Sequence, residues 1–269
     1  MIVDLTKMQV FLVLFLFTLQ ASSLFIALPL YLYPDTDASA WSNVFAVIEA
    51  YPQIQWQAII NPDSGPGTVD SQSYPTEQNQ ISGIAKLNSY SNVITLGYVH
   101  TSWGQRAYSN VTSEIDIYTA WASYSSANIS ISGIFFDEVA NNPSSDILTY
   151  YQQASSYVYT KFPSTVKKVM FNPGTNASTQ LFDYCDTMFE FEHPLSDYGN
   201  DTTIENIPSG YQAKSGLMID DVPASAEVGS LVHTMTYYGV GAVYLGADCC
   251  YKVYDATLLH ELAAAVLAG

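Results

Sequence analysis

Residues 131–138 read Ile-Ser-Gly-Ile-Phe-Phe-Asp137-Glu138, a short β-rich apolar run stopped by two adjacent acids. The run is continuous rather than alternating, as in a strand covered on both faces. Working outward, runs of the same kind recur along the chain: Phe25–Tyr33, Trp56–Ile60, Val93–Val99, Ile131–Phe136, Lys168–Phe171, Thr187–Phe191, Gly216–Ile219 and Gly241–Leu245. Their starts lie 19 to 38 residues apart, the length of a βα unit. Between them, Ser39–Tyr51, Asp116–Ser126, Asp146–Lys161 and Ser225–Tyr238 carry apolar residues at helical spacing, such as Ile117, Trp121 and Tyr124. Ser113 and Ser144 or Ser145 are N-cap candidates. Eight such units over residues 24–269 predict a single α/β domain, a (β/α)8 TIM barrel. The competing doubly wound sheet would be expected to carry a glycine-rich turn after its first strand, and none is present.

Residues 1–23 read as a secretory leader. Lys7 precedes the uncharged run Val10–Leu19, and the small polar stretch Gln20-Ala-Ser-Ser23 follows. The run is shorter than the roughly 20 residues a spanning helix needs. The expected product is therefore a secreted monomer of the extracellular space or cell wall, with no membrane contact once the leader is removed. Four acceptor sequons, at Asn110, Asn128, Asn176 and Asn200, fit a glycoprotein. In an oxidising compartment Cys185 could bridge to Cys249 or Cys250; three unpaired thiols are the alternative. Eight basic residues against 25 acidic ones give a net charge of −17, which argues against nucleic acid as a partner. Aromatics make up 14% of the chain, 21 of them tyrosine. Such side chains suit a sugar-binding surface and serve equally well in ordinary strands.

In a barrel, the residues at the C-terminal strand ends form the functional face. Asp35, Asn61, Tyr98, His100, Asp137, Glu138, Asn172, Glu190, Glu192, Asp220, Asp221 and Asp248 all fall there. Polar residues often stop strands, so part of this ring is expected without any function. The acids of strands four and six stand out, because a carboxylate beside a buried strand is costly to desolvate and is kept where chemistry uses it. Glu190 and Glu192 are two apart, which on a regular strand puts both on one face. Acids on strands four and six facing each other would form the carboxyl pair of glycoside hydrolysis. The four histidines show neither HxH nor HExxH spacing, so no metal site is expected, nor any cofactor. His193 and His260 read as surface residues and His233 as packed. No GxSxG elbow or phosphate-binding loop is present.

Five motifs in order carry a family resemblance: Pro29-Leu-Tyr-Leu-Tyr-Pro34, Ile59-Ile-Asn61-Pro-Asp-Ser-Gly-Pro-Gly67, Leu96-Gly-Tyr98-Val-His100-Thr-Ser-Trp-Gly104-Gln-Arg106, Gly133-Ile-Phe-Phe-Asp137-Glu138 and Asn172-Pro-Gly-Thr175. Together they resemble the spherulin-4 family from Leu28 to about Asp248. That family is similar to secreted fungal-type glycoside hydrolases built on a (β/α)8 barrel, whose characterised members cut the α-1,4-linked matrix polysaccharide galactosaminogalactan. The resemblance implies an endo-acting hydrolase of an amino-sugar polysaccharide. It assigns Asp137 as nucleophile, Glu192 as general acid/base and Glu138 as a residue that orients substrate or tunes its neighbour. Glu190 competes with Glu192 for the third position. Asn61, Tyr98, His100, Asn172 and Asp248 would hold sugar hydroxyls or an acetamido group, and a retaining outcome is implied. Trp103 stands where the family has tyrosine, and Tyr244-Leu-Gly-Ala-Asp248-Cys-Cys departs from the usual strand-eight end. A non-catalytic wall protein that binds carbohydrate on the same barrel is the rival reading.

Overall fold

The computed structural model describes residues 24–162, 167–199 and 201–269; the expected leader and the sequon residue Asn200 lie outside them. Eight strands close into one parallel barrel in sequence order. They are β1 (Phe25–Leu30), β2 (Trp56–Ile60), β3 (Val93–His100), β4 (Gly133–Asp137), β5 (Lys168–Phe171), β6 (Thr187–Pro194), β7 (Ser215–Asp220) and β8 (Ala242–Leu245). The ring shuts where Phe25 and Ile26 of β1 pair with Ala242 and Val243 of β8. The helices are α1 (Ser42–Ala50), α2 (Gln78–Leu87), α3 (Tyr108–Ala120), α4 (Ser145–Lys161), α5 (Asp201–Glu205), α6 (Val228–Tyr238) and α7 (Ala256–Ala268). Among the described residues the β5–β6 connection carries only a 3-10 turn, Thr179–Asp183. The shortest start-to-start spacing in the sequence falls there.

The predicted strands all form, with shifts at their ends. The expected helix Asp116–Ser126 lies instead at Tyr108–Ala120, so Ser113 is interior and its hydroxyl donates to the Ser109 carbonyl. Ser144 does cap α4, accepting from the Ile147 amide at 3.4 Å. The helices grip the barrel through large side chains. Tyr118 of α3 is wholly buried, and its hydroxyl lies 3.2 Å from the Ile60 carbonyl and 3.1 Å from that of Tyr98. Gly97 makes this possible, since a Cβ there would stand 2.6 Å from the Tyr118 ring. Truncating so large a buried side chain would cost about 3–5 kcal/mol.

One irregularity bears directly on the site. Phe189 of β6 pairs with Gly216, yet Phe191 pairs with Leu217, so Glu190 is an extra residue in the strand. Phe189 faces the lumen, where its ring lies 5.9 Å from that of Phe135. Beyond the bulge the parity is reversed. Phe191 turns to Tyr198 and His193, and Glu192, three residues after Phe189, turns inward. The expectation that Glu190 and Glu192 share a face is corrected by this bulge.

Two further expectations change. All three cysteines are free: Cys185 is buried, while Cys249 and Cys250 are exposed with their sulfurs 2.7 Å apart. A bridge from Cys185 is therefore not formed. His233 is exposed rather than packed. Asn110 and Asn128 are exposed, and the Asn176 amide is tied to Glu190.

Candidate active site

The lumen at the C-terminal end of the barrel narrows onto two carboxyl groups, Asp137 at the end of β4 and Glu192 on β6. Between them sits Asn172, which directly follows β5 and is 3% exposed. Its Nδ2 donates to Asp137 Oδ1 at 2.8 Å and, closer still, to Glu192 Oε2. Neither oxygen is more than 2.8 Å from the shared nitrogen, so the two are at most about 5.6 Å apart. That lies below the ~6.5–9.5 Å of inverting glycosidases and leaves the roughly 5–5.5 Å spacing of retaining ones within the bound. Asn172 cannot swing away. Its Oδ1 accepts from the Gly174 amide at 3.1 Å, its own amide donates to the Phe136 carbonyl, and its carbonyl accepts from Val139.

Each acid has a tyrosine of its own. Tyr98 Oη donates to Asp137 Oδ2 at 2.7 Å, and Tyr251 Oη donates to Glu192 Oε1. Burial first, and the nearby acids second, push both phenols well above their ordinary range, so they remain donors. The Tyr31 ring bridges them, in edge contact with Tyr98 at 5.5 Å and Tyr251 at 5.3 Å. Burial also raises the carboxyl pKa values of Asp137 and Glu192. The two acids differ in what opposes it. Asp137 receives three donors: Tyr98, the Glu138 amide and Asn172. Glu192 receives two; a neighbouring charge pushes each acid up further, Glu138 acting on Asp137 and Asp137 on Glu192, so the number of donors is what separates them. The local environment thus favours Asp137 as the ionised member and Glu192 as the protonated one.

Glu138 takes a different direction. Its backbone is left-handed (φ 53°), and its carboxylate lies on the rim, 3.4 Å from His100 Nδ1. Thr101 Oγ1 and the Trp103 amide both donate to its carbonyl, at 2.8 and 2.7 Å. Ser102, Trp103 and Gly104 all have positive φ, and Trp103 projects beside this rim with 59% of its surface exposed. Non-glycine residues held in this conformation cost energy and concentrate at binding and catalytic sites.

Of the residues singled out from sequence, Asp137, Glu192, Tyr98 and Asn172 converge, and Glu138 with His100 forms the adjoining rim. Asn61 and Asp248 have oxygens turned to their own loops. Asn61 Oδ1 accepts from the Gly65 amide at 3.1 Å, and the Asp248 carboxylate accepts from the amides of Lys252 and Val253. Glu190 is 2% exposed and bonded to Asn176 Nδ2 and the Ala177 amide, away from Asp137. Sequence reasoning missed Tyr251 and Tyr31. Tyr31 lies inside a quoted motif, whereas Tyr251 follows strand eight where the chain departs from the expected pattern. No group of acids, histidines and cysteines among the described residues is arranged to hold a metal ion.

Comparison with known proteins agrees with this fold. Spherulin-4 of Physarum polycephalum is 29% identical over 253 residues, spanning 87% of this chain and 69% of the relative. The crystal structure of Aspergillus clavatus Sph3 in complex with GalNAc superposes with a TM-score of 0.83 at 28% identity, covering 91% of this chain and 97% of that one. A chitinase of Pseudoalteromonas aurantia, at 10% identity and a TM-score of 0.51 over 84% of this chain and 94% of its own, shares the fold alone. Residues 25–266 match the profile of spherulation-specific family 4, and the chain belongs to that family.

Proposed function

We propose that this protein is a secreted glycoside hydrolase that cuts an amino-sugar polysaccharide of the galactosaminogalactan type within the chain, by a retaining mechanism. The observation that carries the reading is the bridging of two carboxyl groups from different strands by one amide, Asn172, at a separation suited to a covalent intermediate. The GalNAc held by the similar Aspergillus protein supports an amino sugar as the unit recognised.

In this mechanism an Asp137 oxygen attacks the anomeric carbon while the glycosidic C–O bond breaks. The Glu192 proton passes to the leaving oxygen. Glu192, now ionised, takes a proton from water, which displaces Asp137 from the sugar and restores both groups. Tyr98 and Asn172 keep Asp137 oriented and ionised, and Tyr251 fixes the rotamer of Glu192. Glu138 with His100 lines the cleft edge, and Trp103 offers an apolar face to a sugar ring.

The test is incubation of the purified protein with galactosaminogalactan and other wall polysaccharides, with released oligosaccharides identified by mass. Asp137→Asn and Glu192→Gln should each keep the fold and lose several orders of magnitude of kcat. Equal binding of polymer by wild type and both variants, with no cleavage by any, would replace the hydrolase with a carbohydrate-binding wall protein.

A further inference from the structure

After β8 the chain forms a short loop that carries the tyrosine of Glu192. The Asp248 carboxylate accepts from the amides of Lys252 and Val253, which closes residues 248–253 on themselves. Within that closure Tyr251 lies in the left-handed region, at φ 55°, where a residue with a Cβ is strained. Its ring is buried against Tyr31 and Tyr244, and its hydroxyl donates to Glu192 Oε1. The two residues before it are Cys249 and Cys250. Both are exposed free thiols, with their sulfurs 2.7 Å apart.

Adjacent cysteines make an unusual pair. Their Cα atoms are about 3.8 Å apart across the trans peptide, below the roughly 4.4–6.8 Å of ordinary bridges. A bond between them closes a small strained ring, and strained, exposed disulfides are the readily reduced ones. Such a pair suits a reversible bond better than a permanent staple. Cys185, by contrast, is 4% exposed and shielded from a dissolved oxidant.

We infer that Cys249 and Cys250 close reversibly into a vicinal disulfide, and that this bond sets how firmly Tyr251 is held on Glu192; its effect on turnover rests on the hydrolase reading. The oxidant is a small-molecule disulfide. The thiolate of one cysteine attacks it and releases one thiol. The thiolate of the other attacks the mixed disulfide, forms the Cys249–Cys250 bond and releases the second thiol. The chain gives up two electrons and two protons, and the oxidant becomes two thiols. The ring takes backbone freedom from the two residues before Tyr251, so the strained tyrosine is better preorganised. Opening the ring returns that freedom and lets Tyr251 leave Glu192 more often. The bridged form is the more active one.

The test equilibrates the purified chain with reduced and oxidised glutathione at several ratios, then alkylates it and maps its thiols by mass. At oxidising ratios the peptide carrying Cys249 and Cys250 should be lighter by two hydrogens and unalkylated, with Cys185 still a thiol, and excess reduced glutathione should reverse the change. Alkylation of both Cys249 and Cys250 at every ratio, or a bridge to Cys185 or to a second chain instead, would overturn the disulfide. The profile of kcat against pH is then read in both states. Reduction should cost roughly three- to tenfold at the optimum and move the basic limb upward, as loss of the Tyr251 donor does. Cys249→Ser and Cys250→Ser should match the reduced form at every ratio, and Tyr251→Phe should show no redox effect. Equal profiles in the two states, or a redox effect that persists in Tyr251→Phe, would overturn the coupling. Hydrogen exchange reads the same coupling without substrate: the Lys252 and Val253 amides should exchange several-fold faster after reduction. No change there overturns the coupling; a change there without cleavage of any polymer keeps it and removes the hydrolase.

Discussion

Replacing Asn172 with alanine removes one nitrogen that serves both acids. A hydrogen bond to a charged group contributes about 1.5–3 kcal/mol, and 1.36 kcal/mol corresponds to one pKa unit. Asp137 keeps Tyr98 and the Glu138 amide, and Glu192 keeps Tyr251. Each acid therefore loses one of its stabilising donors, and each pKa should rise by about one to two units. The sign is the same for both, because the lost bonds favoured the ionised forms. The pH profile of kcat should move as a whole to higher pH. One unit below the wild-type acid limb, where the nucleophile must ionise, the variant should lose about tenfold or more; on the basic side the loss should shrink. The assay is kcat against pH on a defined amino-sugar oligosaccharide, with circular dichroism confirming the fold. A uniform loss at every pH, with both limbs unmoved, would refute the claim that Asn172 sets the ionisation of the pair.

Other consequences can be checked alongside. Glu190 is held up at about 7 by burial, so its contribution to stability is full below the unfolded carboxylate range and is lost as pH rises through about 7. Glu190→Gln should therefore raise the melting temperature at pH 8, by the equivalent of roughly 3 kcal/mol at most, and flatten its decline between pH 4.5 and 8; thermal melts across that range decide it. Tyr251→Phe takes a donor from Glu192 and should shift the basic limb of kcat upward with about a tenfold loss at the optimum, read from the same profiles. Trp103→Ala should raise KM on long oligosaccharides several-fold while kcat holds, because an exposed ring on the rim contributes binding rather than chemistry. Gly133→Ala places a Cβ 2.0 Å from the Lys168 carbonyl, inside the β4–β5 pairing, and should yield little folded protein in a solubility and melting assay.

The barrel was legible because its strands are continuous apolar runs, and a sheet covered by helices outside and by packed side chains in the lumen demands that pattern. Helix boundaries were less so: α3 starts at Tyr108 after Ala107, which offers no side-chain cap to read. Asp137 and Asn172 could be placed from strand ends alone. Tyr251 could not, since it lies in a loop whose fold depends on the Asp248 carboxylate closing onto Lys252 and Val253. Choosing Glu192 over Glu190 by strand periodicity was impossible in principle, because period-two reasoning treats them alike. Only the pairing with β7 distinguishes them.

The extra residue in β6 also separates the placing of the acid from the length of its strand. With Glu190 removed, Phe189 would still pair with Gly216, Phe191 with Leu217 and Glu192 with Met218, so Phe191 would keep facing outward and Glu192 would keep facing the mouth. The deletion would take away the buried carboxylate that accepts from Asn176 and the Ala177 amide. A single-codon deletion here should thus leave the acid in position and loosen the segment after β5.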